Sequence, residues 1–294
     1  MAQTLRFVVP PESDGVKLKV FLRGHCALSY RLMVSLKHVE NGITANGGHI
    51  RVIDRVQAGD VIELHIPDDP RPAAPIPDKR FQVLYEDDQV LVLDKPPAMA
   101  VHPSPGHYDG TLANAVAAYL AQKGERGAFR PINRLDRDTS GIVVAAKNAY
   151  AAARLHGHVE KEYVAVVNGV LSGEGTIDLP IRRREGFGVM REVGEGGDRS
   201  VTHWKAEESG QGMTKLSIRL ETGRTHQIRV HFSHLGMPLV GDTMYGTASP
   251  LIARQALHCR RACFLHPVTG EPVHVVSEYP TDIQALFAVM RQEE

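Results

Sequence analysis

Residues 131–141 read Pro-Ile-Asn-Arg-Leu-Asp-Arg-Asp-Thr-Ser-Gly and place Asp136 between Arg134 and Arg137. Thr139-Ser140-Gly141 is a turn signal that leads into the apolar run Ile142-Val143-Val144-Ala145-Ala146. A carboxylate at the start of a strand, flanked by cations, is held ionised and can reach a bound substrate. That is what a nucleophilic aspartate requires. A solvated turn with scattered charge is the competing reading of any isolated Arg-x-Asp. The rest of the chain must decide between them.

The elements around this turn fall into two units. Segment 67–78 holds five prolines in Pro-Asp-Asp-Pro-Arg-Pro-Ala-Ala-Pro-Ile-Pro-Asp, which favours extended, semi-rigid backbone. It is expected to link a small domain at 1–66 to a large one at 79–294. In the small domain, Ser13-Asp14 is expected to cap a helix with Val16, Val20 and Phe21, and Ser29 a second with Leu32, Met33 and Leu36. Asn46-Gly47-Gly48, between Ile43-Thr44-Ala45 and Val52-Ile53, signals a hairpin, and Val61–Ile66 alternates as a strand. Two small basic helices followed by a hairpin resemble the alpha-L RNA-binding module first described in a small-subunit ribosomal protein. Leu28-Ser29-Tyr30-Arg31-Leu32, the Asn-Gly turn and Arg55–Ile62 carry that likeness.

In the large domain, Phe81–Tyr85 and Val90–Leu93 bracket the acidic turn Glu86-Asp87-Asp88, and an alanine-rich helix runs from Thr111 to about Gln122. Tyr163–Val167, Trp204–Ala206 and Leu216–Leu220 read as strands. Strands outnumber helices and are joined by short glycine-containing turns. The fold class is therefore α+β, a largely antiparallel mixed sheet with flanking helices, plus the small N-terminal α/β domain.

Composition narrows the function classes. At 294 residues, 43% hydrophobic and 23% charged, the chain has the make-up of a globular protein. It has no apolar run near the roughly 18 residues needed to span a bilayer, and the N-terminus lacks a secretory pattern. Cys26, Cys259 and Cys263 cannot all pair, which suits a reducing cytoplasm. Net charge is zero, so support for a nucleic-acid partner must be local: Lys17, Lys19, Arg23, Arg31, Lys37, Arg51 and Arg55 against Asp14, Glu40, Asp54 and Asp60 in the small domain, Arg182-Arg183-Arg184, and Arg254 with Arg260 and Arg261. A solvated face is the plainer account of each cluster alone. No phosphate-loop or dinucleotide fingerprint is present.

Three more segments bear on the chemistry: Glu160-Lys-Glu-Tyr163-Val-Ala165; Glu221-Thr-Gly-Arg224-Thr-His226-Gln-Ile-Arg229-Val-His231, running on to Gly241-Asp242 and Tyr245-Gly246; and Leu257-His258 with Phe264–Glu271. In this order, with Leu93-Asp94-Lys95-Pro96 and Val101-His102-Pro103 upstream, they resemble the RluA-type RNA pseudouridine synthases over roughly residues 80–280. The resemblance implies that Asp136 is the nucleophile and that Tyr163 lies against the target base and helps remove its carbon-5 proton. It implies too that Arg224 pairs with Asp136, and that Arg134 enters the space left by an extruded nucleotide. It implies an isomerase acting on RNA. The reaction is redox-neutral, so no cofactor is expected, the N-terminal module leans towards ribosomal over transfer RNA, and a monomer is the default expectation. Asn133 and Cys259 depart from the family's usual histidine and alanine, which bears on substrate choice.

Two other functions compete. A catalytically idle RNA-binding protein would keep the fold, but Arg134, Asp136, Tyr163 and Arg224 are intact. A carboxylate-dependent nucleoside or glycoside hydrolase would release free base or sugar. A metal site at His258-Cys259, Cys263 and His266 is disfavoured, because no second ligand pair follows and neighbouring strand residues face opposite ways. Hydrogen bonding within the fold is the expected role of His226 and His231, and a hairpin tip that of the glycine-rich segment 185–198.

Overall fold

β1 (Gln3–Val8) and β4 (Val61–Ile66) pair antiparallel from end to end, Gln3 opposite Ile66 and Val8 opposite Val61. This is a computed structural model, and it describes residues 3–66, 73–78, 80–103, 109–125 and 128–292. Between those strands lie α1 (Leu18–Arg23), α2 (Tyr30–Lys37), β2 (Ile43–Ala45) and β3 (Gly48–His49). The sheet order is β1-β4-β2-β3. Ser29 caps α2 as expected, its hydroxyl accepting from the Leu32 N–H at 3.2 Å.

Two local expectations fail. Ser13-Asp14 does not start the expected helix: the pair closes a 3-10 turn at Pro11–Ser13, Gly15 takes φ 68°, α1 starts only after Lys17, and the Asp14 carboxylate accepts from the Ala58 N–H at 2.8 Å. The hairpin turn does form at Asn46-Gly47 (φ 50° and 79°), the pair of positive angles such turns demand. Its return strand is Gly48–His49, while Val52-Ile53 lies beyond it in a turn tied by Arg51 and Asp54.

Residues 67–72 of the proline-rich segment lie outside the described residues. Of the remainder, Ala74 accepts from the Asn114 side chain at 2.9 Å and Ile76 donates to the Asn114 carbonyl at 3.2 Å. β5 (Gln82–Glu86) and β6 (Val90–Lys95) then form the expected hairpin, with Asp87 accepting from the N–H groups of Gln89 and Val90 at 2.7 Å each. α3 (Leu112–Gln122) starts on a capping box made by Thr111 and Asn114.

The remaining elements are β7 (Arg130–Pro131), β8 (Ser140–Ala146), α4 (Ala149–Leu155), β9 (Glu160–Asn168), β10 (Glu174–Asp178), β11 (Ile181–Arg183), β12 (Arg191–Val193), β13 (Val201–Gly210), β14 (Met213–Leu220), α5 (Gln227–His234), β15 (Leu257–Leu265), β16 (Pro272–Val276) and α6 (Thr281–Met290). The large sheet runs β10-β13-β14-β9-β15-β8-β6-β5, with β16 on β15 and β7 on β8. Every pairing among the described residues is antiparallel except β8 with β15, so the largely antiparallel α+β sheet is as expected.

Strand periodicity explains the apolar runs. Along β9, Tyr163, Ala165 and Val167 face a core shared with α3, α4 and α5, whereas Val164 and Val166 face a second core with Ile283, Leu286 and Phe287 of α6. A strand covered on both sides reads as continuously hydrophobic, and each fully buried Val or Leu stabilises by roughly 1.5–3 kcal/mol. All seven residues of β8 are buried for the same reason. The large unit also completes the small one. Tyr150 of α4 sits in the N-terminal core, with its hydroxyl donating to the Cys26 carbonyl at 3.1 Å and its ring edge-on to Phe7.

Candidate active site

The turn carrying Asp136 ends where β8 begins, and its backbone is pinned on several sides. The Asp136 carbonyl accepts from the Thr139 N–H at 3.1 Å. The Arg137 carbonyl accepts from the Met99 N–H and from Lys95 Nζ, at 3.1 and 3.0 Å. The Asp138 carbonyl accepts from Arg254 Nη1 at 3.1 Å, and Gln255 donates to the Thr139 hydroxyl at 3.1 Å. Lys95 is wholly buried, and burial pushes its pKa down to about 7. Its Nζ nevertheless meets three carbonyls, of Pro96, Met99 and Arg137, and only an ammonium offers three donors to match them.

Gly141 fixes where the turn meets the sheet. It adopts φ 108°, and a Cβ there would stand 2.3 Å from the Cys259 carbonyl oxygen. Here β8 runs parallel to β15, Ser140 opposite His258 and Gly141 opposite Cys259. His258 is buried between the hydroxyls of Ser140 (3.0 Å) and Ser277 (3.2 Å), and burial lowers its pKa to about 4. No cluster of three or more metal-ligating side chains occurs among the described residues.

Above this junction Asp136 Oδ2 accepts from Arg229 Nη1 at 2.9 Å. Arg229 gives its other face to Asp242, Nε to Oδ2 at 2.7 Å and Nη2 to Oδ1 at 2.9 Å. Burial opposes the Arg229 charge, but the carboxylates of Asp242 and Asp136 outweigh it and hold its pKa above the ordinary value. The Asp136 side chain is 23% exposed, against 7% for Arg229 and 1% for Asp242, so one carboxylate of this triad is open to a ligand. His226 Nε2 stands 3.9 Å from Asp136 Oδ1, and its Nδ1 meets the Tyr245 hydroxyl at 2.8 Å. Burial lowers the His226 pKa despite the nearby Asp136.

Asp136, Tyr163, His226 and Arg229 line one cavity of about 80 Å³, with Arg134 and Arg224 exposed at its rim. Tyr163 is buried, and burial, reinforced by hydrogen bonding to the Cys259 thiol, holds its phenol well above the usual pKa. It is a neutral wall beside an ionisable oxygen. Such a site can present a nucleophilic carboxylate to a flat ring laid on an aromatic face.

Comparison with known proteins gives the family. The profile described as RNA pseudouridylate synthase matches residues 89–234. An uncharacterized RNA pseudouridine synthase of Bacillus subtilis, YjbO, is 38% identical over 90% of this chain and 96% of its own length. The chain belongs to the RNA pseudouridylate synthase family. Ribosomal large subunit pseudouridine synthase D of Xanthomonas campestris is also 38% identical, over 84% of this chain and 81% of its own. Human RNA pseudouridylate synthase domain containing 1 superposes with a TM-score of 0.57 at 27% identity, over 69% of this chain and 84% of its own.

All four residues singled out from the sequence, Arg134, Asp136, Tyr163 and Arg224, line the same cavity. The expected Asp136–Arg224 pair is corrected: the partner is Arg229. Arg224 precedes α5, is exposed, and donates from Nε to the Arg199 carbonyl at 3.3 Å. Arg229 lies in the first turn of α5, where side chains tilt back towards the helix N-terminus. A charged residue between the apolar Ile228 and Val230 was the available signal, since a buried arginine needs a carboxylate. Arg254, expected on a solvated face, is instead buried and forms two bonds with Asp282, at 2.7 and 2.9 Å. His231 is structural as expected, between the Thr202 hydroxyl and the Leu179 carbonyl. His226 stands in the site itself. Asn133 bonds the Ile142 carbonyl and the Val144 N–H and so stitches its segment to β8, while Cys259 touches Tyr163.

Proposed function

We propose that this protein isomerises uridines of ribosomal RNA to pseudouridine, with Asp136 as nucleophile on a nucleotide that has left its stack. The observation that carries the reading is the partly exposed Asp136, held by the buried Arg229–Asp242 pair on the wall of a cavity that also contains Tyr163. In the reaction the bond from C1′ to N1 breaks and one from C1′ to C5 forms. The C5 proton leaves and N1 takes one up, so no atom or electron is gained overall. The Asp136 carboxylate adds to the ring or to the sugar carbon and is expelled when the base rejoins.

Extruding a base costs a few kcal/mol. Arg134 is exposed and makes no ion pair among the described residues, which suits it to fill the vacated space and bind phosphate. Tyr163 supports the ring and assists loss of the C5 proton, while Arg224 binds the strand. Ribosomal RNA is favoured over transfer RNA by the name of the Xanthomonas relative and by the N-terminal unit. In that unit Arg31 and Lys37 of α2 and Lys19 of α1 are exposed, as an alpha-L-type surface for folded RNA requires. The protein acts in the cytoplasm as a monomer.

The test uses a large-subunit ribosomal RNA transcript labelled with tritium at uridine C5. Wild-type protein releases tritium to water and leaves pseudouridine at discrete positions. Asp136→Asn binds the transcript with the wild-type dissociation constant and releases none. Turnover by Asp136→Asn, or free uracil as the product, would refute the proposal. Release from transfer RNA alone would reassign the substrate.

A further inference from the structure

A second cavity, of about 470 Å³, opens beside the first, between the β11–β12 hairpin and the loop before α5. Gly223 and Arg224 line both cavities, so the two share a wall. Four arginines, Arg182, Arg183, Arg191 and Arg224, stand in it against one carboxylate, Asp198. Arg182 is neutralised by Glu192 at 2.9 Å. The other three pair with no carboxylate among the described residues. Arg183 donates to the Gly188 carbonyl, Arg191 to those of Val189 and Met190, and Arg224 to that of Arg199. Carbonyls orient a guanidinium without cancelling its charge, and most of its five N–H donors stay unused.

Gly196, Gly197 and Gly223 add stretches of lining without side chains. Gly197 has no room for a side chain, because a Cβ would stand 2.6 Å from the Ile181 carbonyl carbon. Three arginines without a carboxylate partner on the lining of one open concavity suit phosphate, which an arginine fork binds through two bonds. The cavity is also tied to Asp136. The Arg191 N–H donates to the Tyr245 hydroxyl at 2.8 Å, that hydroxyl meets His226 Nδ1 at 2.8 Å, and His226 lies 3.9 Å from Asp136.

We infer that the arginine cavity binds a phosphodiester of the RNA strand adjoining the extruded nucleotide and so sets that strand in register with Asp136. This rests on the reading of the Asp136 cavity as the uridine site. Arg183 and Arg191 hold the phosphate, Arg224 bridges the two cavities, and Tyr245 links the Arg191 backbone to His226 beside Asp136.

The experiment compares wild-type protein with the Arg183→Ala/Arg191→Ala double variant on the same C5-tritiated transcript, with filter binding across a salt series. The double variant is expected to raise KM about tenfold and leave kcat within about twofold. Its slope of log affinity against log salt becomes shallower by about 0.7 for each single-strand phosphate that the variant no longer neutralises. Arg291→Ala removes a guanidinium outside the cavity and leaves slope and KM unchanged. Arg183→Lys/Arg191→Lys recovers part of the affinity. Should the double variant melt early, Arg183→Ala alone carries the test, since that side chain is exposed. A folded variant with wild-type slope and KM overturns the inference. Absence of tritium release from wild-type protein would instead defeat the uridine reading, and the salt slope, which needs no turnover, still decides the cavity.

Discussion

Asp242 grips Arg229 through two hydrogen bonds of 2.7 and 2.9 Å, whereas Arg229 gives Asp136 only one, of 2.9 Å. The asymmetry has a mechanical consequence. In the proposed reaction Asp136 would break a single bond to reach a ring or sugar carbon, with the guanidinium staying where Asp242 holds it. Asp242 also accepts from the N–H groups of Met244 and Tyr245, so the anchor is itself anchored.

Asp242→Asn keeps the shape of the anchor and removes its charge. Arg229 is then free to follow Asp136, and kcat is expected to fall about 10–100-fold with RNA affinity nearly unchanged. Leaving a buried guanidinium short of one carboxylate costs up to about 3–5 kcal/mol, read as a lower urea midpoint. Wild-type kcat in this variant would show that the anchor is dispensable.

The proposed roles of Arg224 in binding and of Arg229 in chemistry predict different kinetic losses. Arg229→Lys retains a positive charge but cannot make the fork to Asp242 together with the bond to Asp136, and a loss of kcat of about 100-fold is expected. Arg224→Ala raises KM about tenfold and leaves kcat within about twofold. Steady-state tritium release measures both, and the reverse pattern would restore Arg224 as the partner of Asp136.

Gly141→Ala tests the parallel junction beneath the Asp136 turn. A methyl group would meet the Cys259 carbonyl oxygen at 2.3 Å on a backbone at φ 108° that alanine disfavours. The variant is expected to lose at least about 2 kcal/mol of stability, and product formation with it. Equilibrium urea unfolding gives the first and tritium release the second; a fully stable, active variant contradicts the packing described.

His258 makes the fold acid-sensitive in a defined window. Burial, with Arg254 and Arg260 nearby, lowers its pKa to about 4 from an ordinary value near 6.5. Between those values the unfolded chain binds a proton that the folded chain refuses, so stability falls as pH drops through the window. The slope for one such group approaches about 1.4 kcal/mol per pH unit, and above pH 6.5 it contributes nothing. Urea midpoints at pH 7, 6 and 5 should fall less for His258→Gln than for wild type. Equal slopes would place the acid sensitivity elsewhere.

Much of the site was legible in the linear chain because its parts are local. A turn signal before an apolar run placed Asp136 at the head of β8, and a short β-branched apolar run placed Tyr163 on a strand. The Asn-Gly turn and the Ser29 cap depend on residues within three or four positions of one another, and both form, while the helix expected from Thr111 starts at Leu112 with Thr111 as its cap. Ser13-Asp14 failed as a cap because Gly15 turns the chain the other way.

What the tertiary structure alone decided is which groups meet across long separations. The segment after Gly223 offers two arginines, and sequence likeness chose Arg224. The start of α5 at Gln227 settles it for Arg229, by aiming that side chain back at a carboxylate 93 residues away. Nothing local to Asp242, Arg254 or Tyr150 states that each will be buried against a distant partner. Burial is a property of the packed sheet, and a charged or polar group enters it only where the fold brings up a matching group.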